Sequence, residues 1–195
     1  MKRTRKTSQM ARVPPVRKTW SHCPRCGAAA AKKGGQPFRC SACGYAHYFG
    51  PVTAVGCIAL VPDGRMLLLI RGKDPGKGLY GVPGGFVDPG ESAEQAVRRE
   101  VMEEIGLKVL SCRYLTSFPN EYVYCGAVLP VTDLFFVIEL PDPKDIITQE
   151  GEVEGWHLCY PGERELSKMA FRSNRRALEF YLKQQKKIER KKTSP

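Results

Sequence analysis

The chain has 195 residues, 42% of them hydrophobic, and 31 Lys and Arg against 20 Asp and Glu give it a net charge of +11. That length holds one domain with a sizeable core plus a small appended module, and excludes two full-sized domains. No apolar run reaches about 18 residues, and residues 1–20 are basic without an apolar stretch, so a membrane span and a secretory signal are excluded and a soluble chain is expected.

The charge is segregated. No acidic residue precedes Asp63 while 11 basic ones do; residues 63–182 carry 14 basic against 19 acidic residues, or −5; and from Lys183 six basic residues face only Glu189. Basic ends attract polyanions without specifying one. Solvated tails are the simpler reading, with nucleic acid the lesser alternative and an organelle import leader a further one.

In chain order, residues 1–19 are rich in Lys, Arg, Pro and Ser without periodicity and read as a flexible basic leader. Residues 20–49 form a small module: Cys23-Pro24-Arg25-Cys26, thirteen residues, then Cys40-Ser41-Ala42-Cys43. This is the pairing of a zinc ribbon, in which each Cys-x-x-Cys knuckle donates two thiolates to one tetrahedral ion. About thirty residues bury too little core to fold alone, so one Zn²⁺ per chain would supply folding free energy, and four thiolates leave it no catalytic position. His22 and His47 flank the site and read as surface or packing histidines. The other cysteines, Cys57, Cys112, Cys125 and Cys159, are scattered among apolar or strand-like residues. That usage fits a metal site in a reducing, cytoplasmic compartment rather than a disulfide framework.

The main domain is expected over 50–182. Residues 53–61 and 65–71 read as strands around the Asp63-Gly64 turn. A Gly- and Pro-rich stretch, 74–90, precedes a helix over 92–105, with Ser92 and Gln95 as a capping box and Gly106 as a left-handed cap. Residues 109–114, 121–128, 134–140 and 156–159 look like strands. Residues 173–188 look like a closing helix buried through Ala177, Leu178, Tyr181 and Leu182, with 183–195 as a basic tail. Such an order predicts an α+β fold, an α/β/α sandwich on a mixed sheet.

On the internal helix, Glu100, Glu103 and Glu104 are three and four residues apart, so they share one face beside an apolar stripe of Ala93, Val97, Val101 and Ile105. Crowded carboxylates repel unless a cation neutralises them. Oxygen-only ligands suit Mg²⁺ or Mn²⁺, which bridge to phosphates and activate water, and a further glutamate can orient or deprotonate that water. The Gly84-Gly85 turn upstream lets backbone approach metal or phosphate without a Cβ in the way.

Gly85, five residues, Glu91, seven residues, then Arg99-Glu100-Val101-Met102-Glu103-Glu104-Ile105-Gly106-Leu107 matches the Nudix box at every defined position. The chain thus resembles the Nudix hydrolase family. The resemblance implies that Glu100, Glu103 and Glu104 bind the catalytic cations, Glu103 and Glu104 also acting in catalysis, that the Gly85 carbonyl joins them, and that Glu91 and Arg99 pair to hold loop and helix. Relatives often carry another glutamate before a late Trp-containing strand. Glu150, Glu152 and Glu154 all precede Trp156, and the spacing in zinc-ribbon NADH pyrophosphatases points to Glu150.

A zinc ribbon ahead of this domain resembles the NADH pyrophosphatases and the plant-type FAD pyrophosphatases, whose segment Met169-Ala170-Phe171-Arg172-Ser173 is similar. Where NADH pyrophosphatases carry a Ser-Gln-Pro-Trp-Pro-Phe-Pro type signature, this chain has Ser117-Phe118-Pro119-Asn120-Glu121-Tyr122. Phe118, Tyr122 and Tyr124 are candidates for stacking on a base and Arg71 for reaching a phosphate, packing being the simpler role. The expected activity is metal-dependent hydrolysis of a phosphoanhydride in NADH, FAD or ADP-ribose, releasing a nucleoside monophosphate. Alternatives are a nucleoside triphosphate pyrophosphohydrolase and a non-catalytic module binding nucleic acid or a partner. The partner is a small nucleotide substrate, with a homodimer, common among relatives, left open and no membrane.

Overall fold

A computed structural model describes residues 13–192 of the chain. Residues 1–12 and 193–195, the outer parts of the expected leader and tail, lie outside the described residues. By their contacts the described residues fall into two units, one formed by residues up to Val52 with Glu121–Val131, the other by Thr53–Asn120 with Thr132 onward.

In the first unit each cysteine pair closes a knuckle. Gly27 N–H donates to the Cys23 carbonyl at 2.9 Å and Gly44 N–H to the Cys40 carbonyl at 3.0 Å. Both turns need a left-handed residue, and Gly27 (φ 74°) and Gly44 (φ 73°) supply it without a Cβ penalty. β1 (Phe38–Arg39) pairs antiparallel with β2 (Ala46–His47). The small core joins Cys23, Phe38, Cys40 and Phe49 with partly buried Val16 and Trp20. His47 stacks on Trp20 at 4.7 Å between centroids, which makes it a packing residue.

Residues 13–19, expected in a flexible leader, are tied down instead. Residues Val16–Lys18 form a 3-10 turn, Arg17 Nη1 donates to the Gly34 carbonyl at 2.8 Å, and Val128 N–H donates to the Pro14 carbonyl at 2.9 Å. Composition misleads here because the prolines and Val16 find partners that come from elsewhere in the chain.

The second unit is built on a six-stranded sheet in the order β5-β4-β3-β7-β6, with β8 also paired to β4. The strands are β3 (Val52–Leu60), β4 (Met66–Arg71), β5 (Tyr80–Gly81), β6 (Ser111–Tyr124), β7 (Ala127–Glu139) and β8 (Val153–Cys159). Three helices accompany them, α1 (Ala93–Ile105), α2 (Glu163–Ser167) and α3 (Arg172–Lys192). The expected α+β architecture with a mixed sheet is present.

Alternation along the strands explains why both sheet faces are covered. Cys57, Ala59, Leu67, Leu69, Phe136 and Ile138 pack with Ala96, Val97, Val101 and Ile105 of α1. Their neighbours Ile58, Met66, Leu68, Phe135 and Val137 pack with Ala177, Leu178 and Tyr181 of α3. Strands buried on two faces read as continuous apolar runs, as in Met66–Arg71. Each buried Val, Leu or Ile contributes roughly 1.5–3 kcal/mol, so the α1 stripe suffices to seat the helix.

The single strand expected over 121–128 is broken by a turn: residues 121–124 end β6 and 127–128 begin β7, at the tip of a long β6–β7 hairpin. Cys125 (φ 46°) and Gly126 (φ 75°) are both left-handed, as a two-residue hairpin turn requires. Cysteine is an unusual occupant of that position, so the apolar residues around it mask the turn. At the other end, α3 continues through residues 183–192, expected as a tail.

Candidate active site and cysteine centre

α1 is positioned by its ends. Ser92 Oγ accepts from Gln95 N–H at 3.2 Å while Gln95 Oε1 accepts from Ser92 N–H at 2.7 Å. Gly106, at φ 70°, closes the helix by donating its N–H to the Met102 carbonyl. With the apolar stripe seated on the sheet, Glu100 and Glu104 turn toward the loop that enters the helix.

That loop is in intimate contact with the carboxylates. Gly84 N–H donates to Glu104 Oε2 at 2.9 Å. A Cβ at Gly85 would fall inside the Glu100 carboxylate, and one at Gly84, whose φ is 143°, on the Val55 carbonyl. Glycine is required at both places by space and, at Gly84, by conformation. The Gly85 carbonyl accepts from Val55 N–H at 2.8 Å, which leaves its second lone pair for a ligand.

Arg99 gathers the acidic groups. Its Nε and Nη2 donate to Glu91 Oε1 and Oε2, both at 2.9 Å, Nη2 also reaches the Phe86 carbonyl at 2.9 Å, and Nη1 meets Glu100 Oε1 at 2.8 Å and Glu103 Oε2 at 3.1 Å. The Arg99 guanidinium holds the Glu91 carboxyl below its ordinary range, helped by the Asp88 N–H. The expected Glu91–Arg99 clamp is in place.

The glutamates differ in environment. The Glu100 side chain is 15% exposed and that of Glu103 50%. Burial pushes the Glu104 carboxyl up to about 8 against the pull of the Gly84 N–H, and the charges of Glu100 and Glu152 add to the rise. Glu100 is raised as well, mainly by burial. Glu91, Glu100 and Glu103 share the one Arg99 guanidinium, and Glu104 has the Gly84 N–H and the charge of Arg71, so negative charge exceeds positive here, which is the condition a hard divalent ion relieves. The all-oxygen donor set fits Mg²⁺ or Mn²⁺ better than a soft metal.

Of the three glutamates ahead of Trp156, it is Glu152 whose charge reaches both Glu100 and Glu104. It is half-buried and ion-paired with Lys73. Glu150 and Glu154 are exposed. The spacing pointed to Glu150, but Gly151 (φ 80°) turns the chain between the two, and Gly72 N–H bonded to the Glu152 carbonyl brings Glu152 inward.

Arg71, at the end of β4, lies close enough to Glu104 to counter its rise. Its guanidinium stands 4.8 Å over the Phe171 ring and its Nε donates to the Pro75 carbonyl. Phe118 is a packing residue, its ring lying under the Arg176 guanidinium at 4.1 Å and 6.2 Å from Phe135. Tyr122 and Tyr124 belong to the first unit. Sequence reasoning overlooked Lys73 and Phe171 as site neighbours; the Met169–Ser173 similarity was the available signal for the second.

In the first unit Cys23, Cys26, Cys40 and Cys43 bring their sulfurs within 4.8 Å of one another. The Cys23–Cys43 and Cys26–Cys40 separations are both 3.7 Å, close to the edge of about 3.8 Å in a tetrahedron with 2.3 Å metal–sulfur bonds. The Cys43 and Ala42 N–H groups pull the Cys40 thiol down to about 7, while Cys26, against the pull of the Ala28 N–H, is held up at about 12 by the neighbouring thiols and burial. Among the described residues this is the group of metal-ligating side chains whose ligand atoms come this close.

A family model described as NUDIX domain matches residues 50–180. The NAD-capped RNA hydrolase NudC of Chromobacterium violaceum is 37% identical over 137 residues, which cover 69% of this chain and 48% of that protein. The human mitochondrial NAD(P)H pyrophosphatase NUDT13 is 48% identical over 67 residues, 34% of this chain and 19% of that protein. The chain spans about half the length of the first of these relatives and less of the second. A NUDIX hydrolase structure from Nitrosomonas europaea shares the fold at a TM-score of 0.64, 24% identity, and coverage of 90% of this chain and 95% of that one.

Proposed function

The chain belongs to the Nudix family, and on that premise we propose that it hydrolyses the phosphoanhydride bond of a nucleoside diphosphate linked to another moiety, releasing a nucleoside monophosphate. The substrate class we infer is an adenine dinucleotide pyrophosphate of the NADH type, which the names of both curated relatives share. FAD and ADP-ribose are the neighbouring chemistries.

One observation carries this reading: Glu104, with its carboxyl buried under Gly84 N–H, stands beside Glu100 and within reach of the charge on Glu152. Glu100, Glu103 and Glu104, with the Gly85 carbonyl, would hold Mg²⁺ or Mn²⁺. Such an ion offsets charge developing on the phosphoryl group and acidifies bound water. Glu152, whose charge reaches Glu100 and Glu104, would orient the attacking water as a base. Arg71 supplies a cation toward the phosphates, and Glu91 with Arg99 keeps the loop and α1 in register. The cysteine quartet would hold one structural Zn²⁺.

A panel of NADH, FAD, ADP-ribose and nucleoside triphosphates, incubated with Mg²⁺ or Mn²⁺ and resolved by chromatography, tests the reading. Turnover of a dinucleotide to a monophosphate, lost in Glu103→Gln and Glu104→Gln, supports it. Release of pyrophosphate from triphosphates alone would replace the substrate class, and full activity in both variants would remove the metal assignment.

A further inference from the structure

Lys73 and Glu152 form an ion pair across 79 residues of sequence. The Lys73 side chain is 48% exposed and that of Glu152 39%, and pairs so open to water contribute little to stability. The contact belongs, however, to a set of bonds that fixes Glu152 from two sides. Gly72, next to Lys73 at the end of β4, donates its N–H to the Glu152 carbonyl at 2.8 Å. The approach is close: a Cβ on Gly72 would stand 3.1 Å from the Gly151 carbonyl oxygen and 3.2 Å from that of Glu152. From the other side, Gln149 N–H donates to the Glu104 carbonyl of α1 at 3.0 Å, and the Glu152 and Val153 N–H groups return to the Gln149 carbonyl at 3.3 and 3.0 Å. The backbone of Glu152 is thus strapped to β4 and to α1, and Lys73 holds its carboxylate.

Charge explains why the side chain needs a tether of its own. The charge of Glu152 reaches both Glu100 and Glu104, so the three repel one another. Backbone bonds leave the side-chain torsions free, and a half-exposed glutamate repelled by two others would turn to water, where Glu150 and Glu154 stand. The nearby arginines are already engaged. Arg99 is shared by Glu91, Glu100 and Glu103, and Arg71 lies over the Phe171 ring with its Nε on the Pro75 carbonyl. Among the described residues Lys73 is the cation that pairs with Glu152.

We propose that Lys73 is a positioning residue, which tethers the Glu152 carboxylate beside the α1 glutamates so that it meets the attacking water. The proposal rests on the hydrolytic reading above for the role of Glu152, and on the Lys73 contact for the tether.

The full chain is compared with Lys73→Met, Lys73→Arg, Glu152→Gln and the Lys73→Met/Glu152→Gln double variant, on whichever of NADH, FAD and ADP-ribose the wild type turns over fastest. Lys73→Met is expected to lower kcat roughly tenfold with KM within about twofold of wild type, and Lys73→Arg to recover most of the loss. The double variant should match Glu152→Gln alone, because a tether has nothing to hold once the carboxylate is gone. Mg²⁺ affinity without nucleotide, by calorimetry, should stay equal or tighten in Lys73→Met, since a cation has left the neighbourhood. A further readout needs no turnover: after isotope-labelled reductive methylation, which keeps the charge, the Lys73 methyl signal, identified by its loss in Lys73→Met, should shift in Glu152→Gln.

A raised KM with unchanged kcat would mean that Lys73 grips the phosphates of the substrate, and overturns the tether. So does an additive loss in the double variant, weaker Mg²⁺ binding in Lys73→Met, or a Lys73 signal indifferent to Glu152→Gln. Full activity in Glu152→Gln removes the base and the proposal with it, while the Glu103 and Glu104 variants still decide the hydrolytic reading. If the wild type cleaves none of the three nucleotides but the Lys73 signal follows Glu152, the hydrolytic reading fails and the tether stands.

Discussion

Arg99 grips Glu91 with two parallel hydrogen bonds, Nε to Oε1 and Nη2 to Oε2, each 2.9 Å long, and so fastens the loop before α1 to the helix itself. A planar guanidinium makes this fork and an ammonium cannot. Arg99→Lys is therefore expected to lower kcat/KM roughly ten- to a hundredfold by loosening the register of Gly85 against Glu100. Steady-state kinetics and a lower melting temperature would show it, and wild-type kinetics in the variant would refute the clamp.

The raised Glu104 carboxyl has a consequence for the metal-free protein. Its folded value of about 8 lies above the ordinary 4.5 because of burial first and neighbouring charge second. Protonation then favours the folded state, a contribution complete below about pH 4.5 and lost as pH rises through 8. The melting temperature of the metal-free chain should fall from pH 5 to pH 8.5, and added Mg²⁺ should restore it most at the alkaline end, with proton release on binding. Glu104→Gln should flatten both trends in thermal scans.

The loop carboxylates separate cleanly. Glu152→Gln is expected to reduce kcat by about a hundredfold or more. Glu150→Gln, at an exposed position, should remain within about twofold of wild type. The reverse order in the two variants would return the role to Glu150.

The cysteine quartet predicts one zinc per chain by elemental analysis. Prolonged chelation should remove it and unfold the first unit cooperatively, because Cys23, Phe38, Cys40 and Phe49 form too small a core to persist alone. Cys40→Ser should reproduce the loss. A chain purified from zinc-containing medium without the metal would rule the site out.

Much of this was legible along the chain. The knuckles, the capping box at Ser92 and Gln95, the Gly106 cap and the spacing of Glu100, Glu103 and Glu104 involve residues within one turn or one helix of each other. Spacing alone sets such geometry. The Cys125-Gly126 turn was missed because its signal is a backbone conformation that cysteine rarely adopts, and residues 13–19 because composition cannot foresee the partners that tie them down.

The sequence by itself determined the family, the pairing of the four cysteines and the face of α1 that carries the carboxylates, since these follow from local periodicity and residue type. Only the tertiary structure decided that Glu104 is the most strongly perturbed of the three, that Glu152 rather than Glu150 stands near them, and that Arg71 and Phe171 lead from the site to α3. Those outcomes depend on bonds between Gly84 and Glu104, 20 residues apart, and between Lys73 and Glu152, 79 apart. Contacts across such separations exist only once the sheet has brought its strands together, and burial, which shifts the carboxyl groups, is a property of that packing.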